Sequence, residues 1–89
     1  MIKVYIPSPL RPFTDAQSDI QLEGGTVEEV MKNFKARFPD AATRFFSQRA
    51  ARYLNLYLNE EDVRALEKGM DTSVRDGDEL TIVFAVGGG

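Results

Sequence analysis

The stretch Leu80-Thr81-Ile82-Val83-Phe84-Ala85-Val86 is almost continuously apolar and runs directly into Gly87-Gly88-Gly89. A short apolar run of this kind is the pattern of a strand covered on both sides, which belongs in the middle of a sheet, often parallel to a neighbour. Everything before residue 80 must therefore supply flanking strands and a layer to cover them. The chain has 89 residues and a mass of 10.0 kDa, enough for one domain. A domain this small buries roughly 60–65% of its unfolded surface, which allows one modest core.

Ile2 to Pro7 alternates, with Ile2, Val4 and Ile6 on one side and Lys3, Tyr5 and Pro7 on the other, and reads as a half-buried strand. Pro7-Ser8-Pro9 ends it, and Leu10-Arg11-Pro12-Phe13-Thr14 reads as an irregular connection with two apolar anchors. Ser18 to Glu23 is a second strand with Ile20 and Leu22 inward, giving a wide hairpin. After Gly24-Gly25, Thr26 is an N-cap and Glu29 completes a capping box. Val27, Val30, Met31, Phe34 and Phe38 then recur at helical spacing until Pro39, an aromatic-rich stripe best read as core. Glu28 and Glu29 in the first turn and Lys35 and Arg37 near the end suit the helix dipole. Asp40 to Phe46 fits a short second helix. Tyr53 to Asn59 alternates as a strand, with Leu54, Leu56 and Leu58 on one side and Asn55 and Tyr57 on the other. Asn59 to Asp62 reads as a turn, Val63-Arg64 as a short edge strand, and residues 65–79 as loop with a turn at Asp76-Gly77-Asp78.

Strand, strand, helix, strand, short strand, strand is satisfied by an α+β fold: a mixed sheet of four to five strands with one main helix across a single face. This is the β-grasp, or ubiquitin-like, arrangement. Residues 1–86 form the expected domain and residues 87–89 a flexible C-terminal glycine tail.

The composition removes most kinds of catalysis. Cysteine and histidine are both absent, so thiol nucleophiles, imidazole bases and the usual zinc ligands are missing, and no metal site is expected. Glu60, Glu61 and Asp62 are consecutive and their side chains diverge, which suits a solvated turn. Asp71, Ser73, Asp76 and Asp78 do not make a calcium loop, because the glycine is misplaced and Arg75 occupies a ligand position. Net charge is −3, which argues against nucleic acid, and no apolar run is long enough for a membrane span. Met1 leads straight into the first strand, so a cytoplasmic location is expected. Basic residues concentrate from Lys32 to Arg52 with only Asp40 opposing them. A solvated helix face is the simpler reading of that segment, and a docking patch for an acidic partner the alternative.

What remains is the end of the chain. Glycine lacks Cβ and passes through spaces closed to other residues, so the tail suits a carboxylate that must enter another protein's active site. Three residues reach roughly 10 Å. In the last strand, Leu80, Ile82 and Phe84 share one side, leaving Val83 and Ala85 on the other beside Tyr5 and Tyr57. These four residues form either a docking surface next to the tail or a second small core under loops.

The opening strand, the Thr26 helix, Leu56-Tyr57-Leu58-Asn59, the turn Asp76-Gly77-Asp78-Glu79 and the terminal Gly88-Gly89 together resemble the ubiquitin-like sulfur carriers of the ThiS and MoaD type, over essentially the whole chain. Leu10-Arg11-Pro12-Phe13-Thr14 and Asn59-Glu60-Glu61-Asp62-Val63-Arg64 look most like the carriers of cysteine or homocysteine biosynthesis, of the CysO kind; Gly87 departs from the alanine that related tails often have. The resemblance implies a protein co-substrate rather than an enzyme. An E1-like enzyme using ATP and magnesium would adenylate the Gly89 carboxylate, and a sulfur donor would convert it to a thiocarboxylate. A pyridoxal-phosphate-dependent sulfhydrylase would accept the sulfur, and a metalloprotease could trim the tail. Gly87 and Gly88 would pass into the partner's active site, and every cofactor would belong to a partner. The alternatives are a small subunit of molybdopterin synthase, a protein modifier joined to lysines, and an inert interaction domain.

Overall fold

The structure is a computed structural model that describes residues 1–84. Five strands and three α-helices follow in the order β1 (Ile2–Tyr5), β2 (Asp19–Leu22), α1 (Val27–Arg37), α2 (Pro39–Phe45), α3 (Gln48–Ala51), β3 (Leu54–Leu58), β4 (Glu61–Asp62) and β5 (Glu79–Phe84). The strands make one mixed sheet in the spatial order β2-β1-β5-β3-β4. β5 is its centre, parallel to β1 with Val4 beside Leu80, and antiparallel to β3 with Leu58 beside Leu80. Leu80 and Ile82 are buried under the helical layer, but Thr81 between them is only half-buried and Val83 beyond them is exposed, so β5 is central in the sheet yet covered on one face and not on both.

The helical layer lies on one face. Ile2, Val4 and Ile6 from β1 and its end, Ile20 and Leu22 from β2, and Leu80 and Ile82 from β5 pack with Val27, Val30, Met31 and Phe34 of α1. Phe34 is fully buried, and its transfer from water contributes about 1.5–3 kcal/mol. The α1 start is built as its residues imply. Thr26 Oγ1 accepts from the Glu29 amide at 3.1 Å, and the Glu29 carboxylate accepts from the amide of Gly25 at 2.7 Å, one residue earlier than a standard capping box.

Four elements differ from the sequence-based expectation. The connection after β1 is a 3₁₀ helix, Ser8–Phe13, with Leu10 fully buried; Pro9 at its start and Pro12 inside it suit its short turns, and Arg11 Nε donates to the Ile6 carbonyl at 3.1 Å. α3 was not expected: its four residues, Gln-Arg-Ala-Ala, bury no side chain and carry no periodic signal, and only the Ser47 hydroxyl accepting from the Ala50 amide marks its start. The edge strand is Glu61–Asp62 and not Val63-Arg64. Asn59 and Glu60 both take positive φ, 49° and 77°, so the hairpin turns in two residues and pairing resumes at Glu61. Asp62 then accepts from the Arg64 amide at 2.9 Å and starts a 3₁₀ turn, Val63–Ala65, which ends the strand. Within residues 65–79, a further 3₁₀ turn spans Gly69–Asp71, and Thr26 bridges to Ser73.

Candidate functional site

β5 is the element that carries the chain to its end, so the candidate site is assembled around it. Because strand side chains alternate, burying Leu80 and Ile82 turns Thr81 and Val83 to the opposite face. Register then aligns one residue from every strand across that face: Asp19, Tyr5, Thr81, Tyr57 and Asp62 stand side by side. Val83 pairs with Asn55 one step further along and is 37% exposed. Tyr5, Thr81 and Tyr57 are half-buried by their neighbours, while Asp19, Gln21 and Glu79 around them are exposed. The second-core alternative therefore does not hold at Val83. The face is open, with amphipathic rings at its centre, Lys3 Nζ above the Tyr5 ring at 5.7 Å, and a polar rim.

Three of the four residues expected to form a docking surface, Tyr5, Tyr57 and Val83, thus lie on one open face. Ala85, the fourth, and the tail residues Gly87, Gly88 and Gly89 lie outside the described residues.

The entry of β5 is pinned by Asn59, which the sequence reading placed where the strand Tyr53 to Asn59 passes into a turn, with no bond to β5. Asn59 donates its main-chain N–H to the Glu79 carbonyl at 2.9 Å, and its Oδ1 accepts from the Glu79 amide at 2.9 Å. Its Nδ2 donates to Asp78 Oδ1 at 3.0 Å, and Asp78 Oδ2 accepts from the Arg75 amide at 3.0 Å. The Asn59 side-chain bond, seconded by the Arg75 amide, holds the Asp78 carboxyl below its ordinary value. The signal available in sequence was an asparagine closing an alternating strand, a residue type that tolerates positive φ.

At its other end β5 meets aromatic rings. Phe84 stands edge-on to Phe45 of α2 at 5.2 Å and to Tyr53 at 6.2 Å, and Phe45 packs against Phe13 at 5.6 Å. The anchors Phe13 and Phe45 therefore fix the last described residue of the strand. Among the described residues no group of three or more histidine, cysteine or acidic side chains gathers in a metal-binding arrangement. No helix of the described residues is long and apolar enough to cross a membrane.

Comparison with known proteins agrees with this architecture. The ThiS family model matches residues 4–89. Sulfur carrier protein CysO of Mycobacterium bovis is 35% identical over 92 residues, spanning 99% of this chain and 98% of its own length. A chain in the crystal structure of the Amycolatopsis orientalis BexX/CysO complex superposes with a TM-score of 0.84 at 36% identity, with 100% of both chains covered. The solution structure of small archaeal modifier protein 1 from Methanosarcina acetivorans superposes with a TM-score of 0.82 at 25% identity, covering 99% of this chain and 95% of that one. On its strand order, its core and a match that runs almost end to end, the chain belongs to the ThiS family, whose curated relatives here are sulfur carriers.

Proposed function

We propose that this protein carries sulfur on the carboxylate of Gly89 and donates it in cysteine, homocysteine or a related biosynthesis. An E1-like partner transfers the adenylyl group of ATP, with magnesium, to that carboxylate and releases pyrophosphate. The step is needed because a carboxylate is a poor electrophile, whereas the acyl-adenylate has AMP as a leaving group. Sulfide attacks the acyl carbon, AMP departs, and a thiocarboxylate remains; with a persulfide donor the attack gives an acyl disulfide, whose S–S bond is then cleaved by a thiol that leaves in a disulfide with the donor sulfur. On a pyridoxal-phosphate-dependent sulfhydrylase the thiocarboxylate sulfur bonds to an activated amino acid whose activating group departs, and a metalloprotease then hydrolyses the amino acid from the tail. Gly87 and Gly88 thread the partner's channel, and Tyr5, Tyr57, Val83 and Ala85 dock against its surface. All cofactors are the partners', and the work is cytoplasmic.

The observation that carries this reading is the near full-length match to CysO on a chain with no cysteine or histidine and with a central strand that leads into glycine. A CysO chain crystallised in complex with BexX supports the expectation of partner proteins. Intact-mass measurement tests the reading. After incubation with the E1-like enzyme, ATP, magnesium and sulfide, the chain gains the mass difference between sulfur and oxygen, and a chain whose Gly89 ends in an amide does not. An unchanged mass with an enzyme active on another carrier rejects it.

The likeness to small archaeal modifier protein 1 favours a second reading, a protein modifier joined to lysines through Gly89. Isopeptide-linked conjugates in lysate, lost on deletion of Gly88-Gly89, would select it.

A further inference from the structure

Residues 32–52 carry six basic side chains, Lys32, Lys35, Arg37, Arg44, Arg49 and Arg52, against one acid, Asp40, a balance of +5. The other 68 residues carry five basic and thirteen acidic side chains, a balance of −8, which together with the first restores the net −3. Lys32 and Lys35 share a surface hollow with Glu28 and Glu29 of the first turn of α1, whereas Arg37, Arg44, Arg49 and Arg52 follow in a stretch whose one acid is Asp40. All six cations are exposed, and among the described residues none of them lies in an ion pair. Eight acids stand between Glu60 and Glu79, on the side of the chain that forms β4 and the entry to β5.

Four of the cations rest on aromatic rings. Lys35 lies over Phe46 at 5.8 Å, Arg37 over Phe38 at 5.5 Å, Arg44 over Phe13 at 4.7 Å and Arg52 over Tyr53 at 5.5 Å. Seating a long side chain on a ring restricts its rotamers before any partner arrives, which lowers the ordering cost of binding. The rings also tie this charge to the end of β5. Tyr53 touches Phe84 directly, and Phe13 reaches it through Phe45. Gly89 is five residues beyond Phe84, so its Cα lies within about 18 Å of the Phe84 Cα whatever path the chain takes.

We propose that the basic end formed by the last turn of α1, α2 and α3 docks an acidic protein surface, the rim of the active site that receives the Gly89 tail. The inference rests on the tail being received by a partner, as proposed above. The basic end and the open sheet face flank the same strand, so a partner gripping both is held in one orientation. A protein rim fits better than a nucleic acid. Thirteen acids elsewhere on the chain repel an extended polyanion, and the rings here are occupied by the protein's own cations and core, leaving no platform for bases.

Two measurements test it. In the first, the isotope-labelled chain is titrated with a short oligo-glutamate peptide and, separately, with single-stranded DNA of equal charge, at low and at physiological salt. Amide shifts confined to residues 32–52 with the peptide, and weaker binding of DNA, are expected. Shifts elsewhere, no shifts, or tighter binding of DNA overturns the proposal. In the second, the double variant Arg44→Glu/Arg52→Glu and a control of equal charge change at exposed positions away from both surfaces, Lys68→Glu/Arg75→Glu, are compared for ATP-dependent adenylation. The first pair loses about tenfold or more in kcat/KM at low salt, with the loss shrinking as salt rises, and the control loses little. Equal losses overturn the proposal. A wild-type chain that is not adenylated at all counts against the sulfur-carrier function, and the peptide titration then decides the surface on its own.

Discussion

Asn59 and Asp78, nineteen positions apart, are joined by a 3.0 Å hydrogen bond that clamps the β3–β4 turn to the start of β5. Because β5 carries the chain to Gly89, this clamp sets where the strand begins its run toward the terminus. The depressed pKa of Asp78 makes the clamp sensitive to acid. A carboxyl whose folded pKa lies below its unfolded value stabilises the fold above the unfolded value, about 3.9, and loses that contribution as pH falls through the folded pKa. Asp78→Ala should therefore be less stable than wild type near neutral pH, and the gap should narrow as the pH is taken below about 4. Urea unfolding at a series of pH values checks this. A gap that stays constant down to pH 2 would mean that the ionised carboxylate is not the source.

Gly24 sits where nothing larger fits. A Cβ there would meet Cγ2 of Val30 at 2.6 Å and, more seriously, the Val30 main-chain nitrogen at 2.7 Å, which belongs to α1 and cannot step aside. Gly24→Ala should cost about 1–3 kcal/mol as the helix start is pushed off the sheet. Gly77, with φ of +94° and open space around it, offers the contrast. Gly77→Ala carries only conformational strain, about 1–2 kcal/mol. Thermal and urea unfolding of the two variants separate them: for Gly24→Ala, structural change should extend to Val30 amide shifts, and for Gly77→Ala it should stay in the turn.

Thr26→Ala removes the acceptor for the Glu29 amide and should lower stability by about 1 kcal/mol. Glu29→Ala removes the return bond to Gly25. Since the two bonds close one cap, the double variant should lose less than the sum of the single losses, which a double-mutant cycle by urea unfolding reads directly. Strict additivity would show that the bonds act independently.

Val83 is exposed on the open face, so charge there should not disturb the core. Val83→Asp should change stability by no more than about 0.5 kcal/mol, the range of an exposed position. It should nonetheless raise the KM for ATP-dependent adenylation, since the apolar part of the face beside Tyr57 would then present a charge to the partner. Steady-state kinetics with unfolding controls measure both. An unchanged KM removes this face from docking.

Much of the architecture was written in local patterns. The β5 run, the alternation of β1, β2 and β3 and the Thr26 cap each carry their own signal, because burial on one side or both imposes a period on a strand and an unpaired amide imposes a cap on a helix. The same patterns set which residues of β5 and β1 share a face, and so brought Tyr5 and Val83 into the candidate site before any coordinates. What they left open depended on where the chain folds back. The edge strand came two residues early because Asn59 and Glu60 both entered positive φ, a choice rewarded by the bonds from Asn59 to Asp78 and Glu79 across the sheet. α3 carried no burial signal of its own. The basic run from Lys32 to Arg52 was legible in the chain, but the seating of Arg44 on Phe13 and the gathering of Phe45 and Tyr53 around Phe84 arose only when α2 packed across the end of β5. Periodicity is a property of neighbours along the chain, whereas the Asn59–Asp78 clamp and the rings around Phe84 are made by residues distant in sequence, and only packing brings those together.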